Sequence, residues 1–140
     1  MRWSSFNKGV FLVNCLAIIF NPKTKKILIG KMEPDPYVKK LTWSFPGGRP
    51  TYGRTPEESL KYEIRKKSNL KVKVKKLIFA RIPPEKKEFL ILYYYCETTN
   101  ENVRSGEKFI EVRWIKPIEI KKYSTTSIDP YIMKFLKQLK

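Results

Sequence analysis

The segment running from Thr55-Pro56-Glu57-Glu58 to Ser68-Asn69 carries both a start and a stop for one helix, and that helix constrains everything around it. Thr55 offers an N-cap oxygen, Pro56 is pre-set for the first helical position, and Glu58 falls where a capping box wants an acid. Asn69 tolerates the left-handed conformation that closes a helix. Leu60 and Ile64 mark one buried side. A helix over about 56–68 is therefore expected, and strand patterns flank it. Val10 to Asn21 (VFLVNCLAIIFN) is rich in β-branched and aromatic residues, and KILIGK (26–31) reads as its return strand after the turn NPKTKK. MEPDPYVKKL reads as a loop and TWSFPGG as a short strand ended by Pro46-Gly47-Gly48.

After the helix, LKVKVKKLIFARI alternates Leu70, Val72 and Val74 with Lys71, Lys73 and Lys75, which puts one face in a core and one lysine row outside. KEFLILYYYCET (87–98) sets Phe89, Ile91, Tyr93 and Tyr95 on one face, TNENVRSGEK is a polar loop, and FIEVRWI (109–115) is a further strand. From Pro117 the chain reads as an irregular link. Asp129-Pro130 starts a last helix with Ile132, Phe135, Leu136 and Leu139 at helical spacing. Strands, helix, strands, helix within 140 residues predict one domain, 1–140, of α+β class or with a layered α/β/α order.

Composition narrows the chemistry. The chain has no histidine and two widely separated cysteines, so no zinc site is expected and catalysis would rest on carboxylates, tyrosine, lysine or cysteine. Cys15 and Cys96 are expected to be buried free thiols, with a cross-strand disulfide as the alternative. No apolar run reaches the ~20 residues that span a membrane, and no small-residue cleavage site follows the apolar N-terminal run. A cytoplasmic protein is expected, its oligomeric state open and a homodimer one option. Thirty Lys plus Arg against thirteen Asp plus Glu give a formal charge of +17, a field that favours polyanions. A lysine-coated thermophile surface is the competing explanation, but glutamate does not keep pace with lysine here.

WSFPGG, TPEESL, Glu63, Ile64 and Leu70 together resemble the Nudix hydrolase family, over about 10–139 and without a gap in the family box. Gly48 matches the first glycine of that box, Glu63 the glutamate of its Arg-Glu pair, Ile64 its apolar position and Leu70 its closing one. The resemblance implies the Nudix fold, an α/β/α sandwich around a mixed sheet. It also implies a Mg²⁺ held by helix carboxylates that cleaves nucleoside diphosphate derivatives. The departures fall on that chemistry. Arg54 stands for the first glutamate, Tyr62 for the arginine, Lys66 and Lys67 for the Glu-Glu pair, and Asn69 for the late glycine.

Positions 63, 66 and 67 share a helix face. Three carboxylates there would suit Mg²⁺, whereas one carboxylate flanked by two ammonium groups does not. The favoured expectation is a degenerate active site that binds RNA or another phosphate-rich ligand without hydrolysis. Arg49, Arg54, Arg65, Lys66, Lys67, Lys71 and Lys73 would be the anion-binding residues, a ribonucleoprotein the natural setting and a nucleotide an alternative ligand. No metal or other cofactor is expected on that reading. The first alternative is a divergent hydrolase with Glu63 catalytic, Mg²⁺ as cofactor, and Glu57, Glu58, Glu107 and Glu111 as further carboxylates. The second is a protein-interaction module. A plain structural account is also open, in which Glu63 and Lys67 form an exposed i,i+4 pair of small energy. Tyr93, Tyr94 and Tyr95 are read mostly as core, Trp43 and Phe45 as packing, and Gly47 and Gly48 as turn geometry.

Overall fold

The computed structural model describes residues 8–33, 43–106, 109–124 and 128–139. β1 (Leu12–Asn21) turns into β2 (Lys26–Met32). Asn21 Oδ1 accepts from Lys23 N at 2.9 Å and Lys25 takes φ 62°, so the turn rests on an Asx-type bond and one left-handed residue. The direct β1–β2 ladder holds only Phe20↔Ile27 and Asn21↔Lys26. Beyond it the hairpin splays, and two very short strands fill the wedge. β3 (Trp43–Ser44) pairs with Gly30 and Lys31, while β4 (Gly47–Gly48) pairs with Cys15 and Leu16. The single short strand expected at TWSFPGG is thus two, one on each arm of the hairpin. A Cβ on Gly47 would lie 2.0 Å from the Cys15 carbonyl oxygen, so only glycine fits there. The loop expected at MEPDPYVKKL lies almost wholly outside the described residues.

α1 (Pro56–Ser68) follows, then β5 (Lys73–Arg81), β6 (Phe89–Glu97) and β7 (Phe109–Ile115). β1 and β6 pair in parallel from Leu12↔Phe89 to Phe20↔Glu97, and the other pairings are antiparallel, so the sheet is mixed. β7 pairs with β2 and β5 with β6. The alternation expected from Leu70 to Lys75 is present, with Leu70, Val72 and Val74 packed in the α1-side core and Lys71, Lys73 and Lys75 exposed. Only beyond Val74 do register shifts at Val74/Lys76 and Leu77/Phe79 interrupt the strand. Lys73, Lys75 and Lys76 are exposed there, and charged, bulged strands of this kind resist edge-to-edge pairing.

The stretch from Pro117 is not irregular. It forms a 3₁₀ turn (Pro117–Glu119) and a short helix, α2 (Ile120–Tyr123). Glu119 Oε1 accepts from Lys116 N at 2.9 Å, so proline and an acid start this turn as they start α1. α3 (Pro130–Gln138) closes the described chain, capped by Asp129 Oδ1 accepting from Tyr131 N at 2.8 Å.

The sheet has one helix-covered core on each side. Ile18, Phe20, Ile29, Phe45 and Tyr93 pack with Ile132, Met133 and Leu136 of α3. Cys15, Ala17, Ile19, Leu28, Tyr94 and Cys96 pack with Leu60 and Ile64 of α1. The α/β/α sandwich is therefore present as expected. Both cysteines are free and buried; burial pushes the Cys15 thiol up to about 11 and the Cys96 thiol up to about 12. Among the described residues no helix is long and apolar enough to cross a membrane.

Candidate functional site

α1 is fixed at both ends. The Thr55 hydroxyl accepts from Glu58 N at 3.1 Å. The buried Ser59 hydroxyl accepts from Thr51 N at 3.0 Å, which ties the loop carrying Arg49 and Arg54 to the first helical turn. At the far end Asn69 takes φ 62°, and Asn69 N donates to Arg65 O at 2.9 Å. The loop after β6 then docks on the last turn. Arg104 N donates to Ser68 O at 3.1 Å and Gly106 N to Lys67 O at 2.8 Å, satisfying carbonyls that a helix end leaves open. A Cβ on Gly106 would lie 2.0 Å from Lys66 O, so this docking requires glycine.

Between those ends α1 turns Glu63, Lys66 and Lys67 toward β4. Glu63 Oε1 lies 3.5 Å from Lys66 Nζ, and Oε2 lies 3.3 Å from Lys67 Nζ. Lys67 Nζ also donates to the Gly47 carbonyl oxygen. The Lys67 side chain is only 9% exposed against 31% for Lys66, so the Glu63–Lys67 pair is not the exposed surface pair that spacing alone suggested. Burial makes the difference: a shielded ammonium must have oxygen partners, whereas a surface one is indifferent to them. Gly48 makes room for the carboxylate, since a Cβ there would fall 2.7 Å from Glu63 Cγ.

Tyr62 extends the site outward. Its ring has Arg54 Cζ at 4.4 Å and Lys66 Nζ at 4.7 Å from the centroid, so one exposed aromatic gathers two cations. Sequence reasoning missed this role. The available signal was the i,i+4 spacing of Tyr62 and Lys66. Arg49 is exposed on the loop before α1, and Arg65 is exposed on the helix. Lys71 and Lys73 lie beyond the C-terminal end of α1, which is roughly 20 Å long at 1.5 Å per residue. The structure thus gathers Arg54, Tyr62, Glu63, Lys66 and Lys67, and sets Lys71 and Lys73 apart with the β5 lysines.

The magnesium that the family resemblance implies does not fit this donor set. Among the described residues the carboxylate at the site is Glu63, and it already faces two ammonium groups. Glu58 sits at the helix start. Glu57 reaches Tyr94, whose hydroxyl is pushed up to about 12 by burial and then by the Glu57 charge. Glu111 pairs with Arg113 at 2.5 Å. Glu107 lies outside the described residues. Among the described residues no three His, Cys, Asp or Glu side chains converge as a metal site.

The aromatic residues sort as expected. Tyr93 and Tyr94 are buried on opposite faces, and Tyr95 packs against Phe135 while its hydroxyl donates to Glu97 at 2.6 Å. Phe45 packs edge-on to Tyr93, and Trp43 packs edge-on to Tyr123 under the Arg113 guanidinium.

Comparison with known proteins agrees with the fold. The family model for the NUDIX domain matches residues 10–136. A NUDIX hydrolase from Nitrosomonas europaea superposes with a TM-score of 0.76 at 18% identity, covering 93% of this chain and 72% of that one. A MutT protein from Methanosarcina mazei Go1 gives 0.71 at 15% identity, with 94% of each chain covered. A UDP-X diphosphatase gives 0.67 at 18% identity, over 97% of this chain and 68% of that one. Among curated proteins nothing matches.

Proposed function

The chain belongs to the NUDIX family, and from that premise we propose that it is a member that binds RNA or another phosphate-rich ligand through the basic face of α1 rather than hydrolysing it with magnesium. One observation carries this reading: the site's carboxylate, Glu63, is neutralised by Lys66 and Lys67. A site that would repel a divalent cation attracts an anion. Arg54 and Lys66, held on the Tyr62 ring, present donors outward, with Arg49 on the preceding loop. Arginine suits phosphate oxygens by its forked geometry, and lysine adds a mobile point charge. The lysines of β5, with Lys71, supply a second basic strip along which a polyanion can run. The +17 charge provides the long-range attraction.

Fluorescence anisotropy with a single-stranded RNA oligonucleotide tests this. Affinity should fall steeply with salt, with a log–log slope of about −0.7 per neutralised phosphate. Arg54→Glu with Lys66→Glu should weaken binding at least tenfold at low salt. Salt-insensitive or absent binding would sink the reading.

The structural neighbours described as hydrolases, together with the retained Glu63 and Gly48, favour one alternative: a divergent pyrophosphohydrolase. It requires metal-dependent release of a nucleoside monophosphate that Glu63→Gln abolishes. No turnover over a panel of nucleoside diphosphate derivatives retires it.

A further inference from the structure

Two oxygens of different kinds converge on Lys67. The Gly47 carbonyl is a neutral main-chain acceptor in the middle of the sheet, and Glu63 Oε2 is a charged side-chain acceptor 3.3 Å away from the ammonium. Each has a neighbour besides Lys67: Gly47 pairs with Leu16 in the ladder, and the Glu63 side chain lies against Gly48 and also pairs with Lys66. A carbonyl and a carboxylate aimed at one shielded point make a donor set for a hard cation. The chain answers it with its own ammonium, delivered one helical turn after Glu63.

We infer that Lys67 is a resident cation: its ammonium does the work of a bound divalent ion at the Gly47–Glu63 oxygens, which makes the order of β4 and of the anion-binding face independent of metal. The two lysines then have separate roles. Lys67 looks inward and holds β4 to α1. Lys66, more exposed, shares Glu63 and faces the ligand. An ammonium cannot dissociate, so chelators have nothing to remove. It also carries one positive charge where a divalent ion carries two, and Lys66 supplies the second. This inference concerns the cation alone and stands whichever anion the face takes.

Manganese alone serves as the probe, with the whole chain. For the wild type, the free-Mn²⁺ electron paramagnetic resonance signal should stay unchanged on adding protein, and the thermal midpoint should not move with Mn²⁺ or EDTA. Lys66→Glu/Lys67→Glu should take up one Mn²⁺ per chain and gain several degrees in midpoint when loaded. Adding Glu63→Gln to that variant should abolish the uptake. Wild-type Mn²⁺ binding that Glu63→Gln removes would overturn the inference, and so would a folded double variant that takes up no Mn²⁺. Should the double variant fail to fold, the single substitutions decide. Lys67→Met should lower the midpoint by several degrees more than Lys66→Met, and equal midpoints would overturn the inference. Loss of RNA binding with these metal results intact would count against the ligand assignment alone.

Discussion

α1 and α3 begin alike and differ in what they bury. Each has a capping oxygen followed by proline: Thr55-Pro56 in one, Asp129-Pro130 in the other. α3 buries Ile132, Met133 and Leu136 against an aromatic face of the sheet. α1 buries Leu60 and Ile64, but also Ser59, Lys67 and Ser68. Each of those three polar groups has a partner: Thr51 N for Ser59, Gly47 O and Glu63 for Lys67, and Ile64 O at 2.7 Å for Ser68. Burying polar groups costs free energy that apolar residues would not, and a helix needed only for packing has no reason to carry them. The contrast marks the α1 side of the sheet as the side where position matters more than area.

That contrast can be broken by substitution. Leu136→Ala should have the largest effect, destabilising the protein by about 2–5 kcal/mol in urea unfolding while leaving the RNA affinity of the folded protein unchanged. A loss of affinity there would mean that the α3 side also belongs to the site. Lys67→Met should cost about 1–3 kcal/mol, because it takes the ammonium from the Gly47 carbonyl and leaves the largely buried Glu63 carboxylate with the more exposed Lys66. Unchanged stability would erase the distinction between the helices. Thr55→Ala and Asp129→Ala should each cost about 1 kcal/mol, since the two starts are built alike. A clear inequality would show that one cap serves something besides its helix.

The smallest effect concerns the thiols. Cys15 and Cys96 titrate near 9 when unfolded and at about 11 and about 12 when folded. The folded values are raised, so their contribution to stability is complete below pH 9 and is lost as pH climbs through 11 to 12. Thiol-reactive dye should therefore leave both cysteines unmodified at pH 8 until denaturant is added. Prompt labelling of Cys15 would show that the α1 side opens more readily than its burial suggests.

Local signals were legible to the residue. Thr55, Pro56 and Asn69 mark the ends of α1, and FIEVRWI is β7 from end to end. The order of elements left an α+β or a layered α/β/α fold open, and the family resemblance pointed to the sandwich. What sequence concealed was long-range or depended on burial. The wedge that seats Gly47 and Gly48 arises because β1 and β2 part company after two paired positions, and nothing in either strand announces that. The burial of Lys67 was half visible: it falls three residues after Ile64, on the stripe that Leu60 begins. Lysine at such a position reads as surface until a carbonyl is found opposite it. The turn at Pro117 was missed although Pro117 and Glu119 repeat the start signal of α1 in shorter form.

The parallel ladder at the centre of the sheet sets a timetable. Every β1–β6 rung joins residues 77 positions apart, from Leu12 and Phe89 onward. During synthesis at about 5–20 residues per second, β1 waits several seconds for the strand that completes it. Over that interval LVNCLAIIF has the short ladder to β2, the β4 glycines and, on one face, Leu60 and Ile64 of α1 to cover it, while the face that α3 later covers stays open. Contacts so distant in sequence also slow spontaneous refolding. The newborn chain is therefore most exposed at its own N-terminal strand, and a co-translational holding factor would have its longest opportunity there.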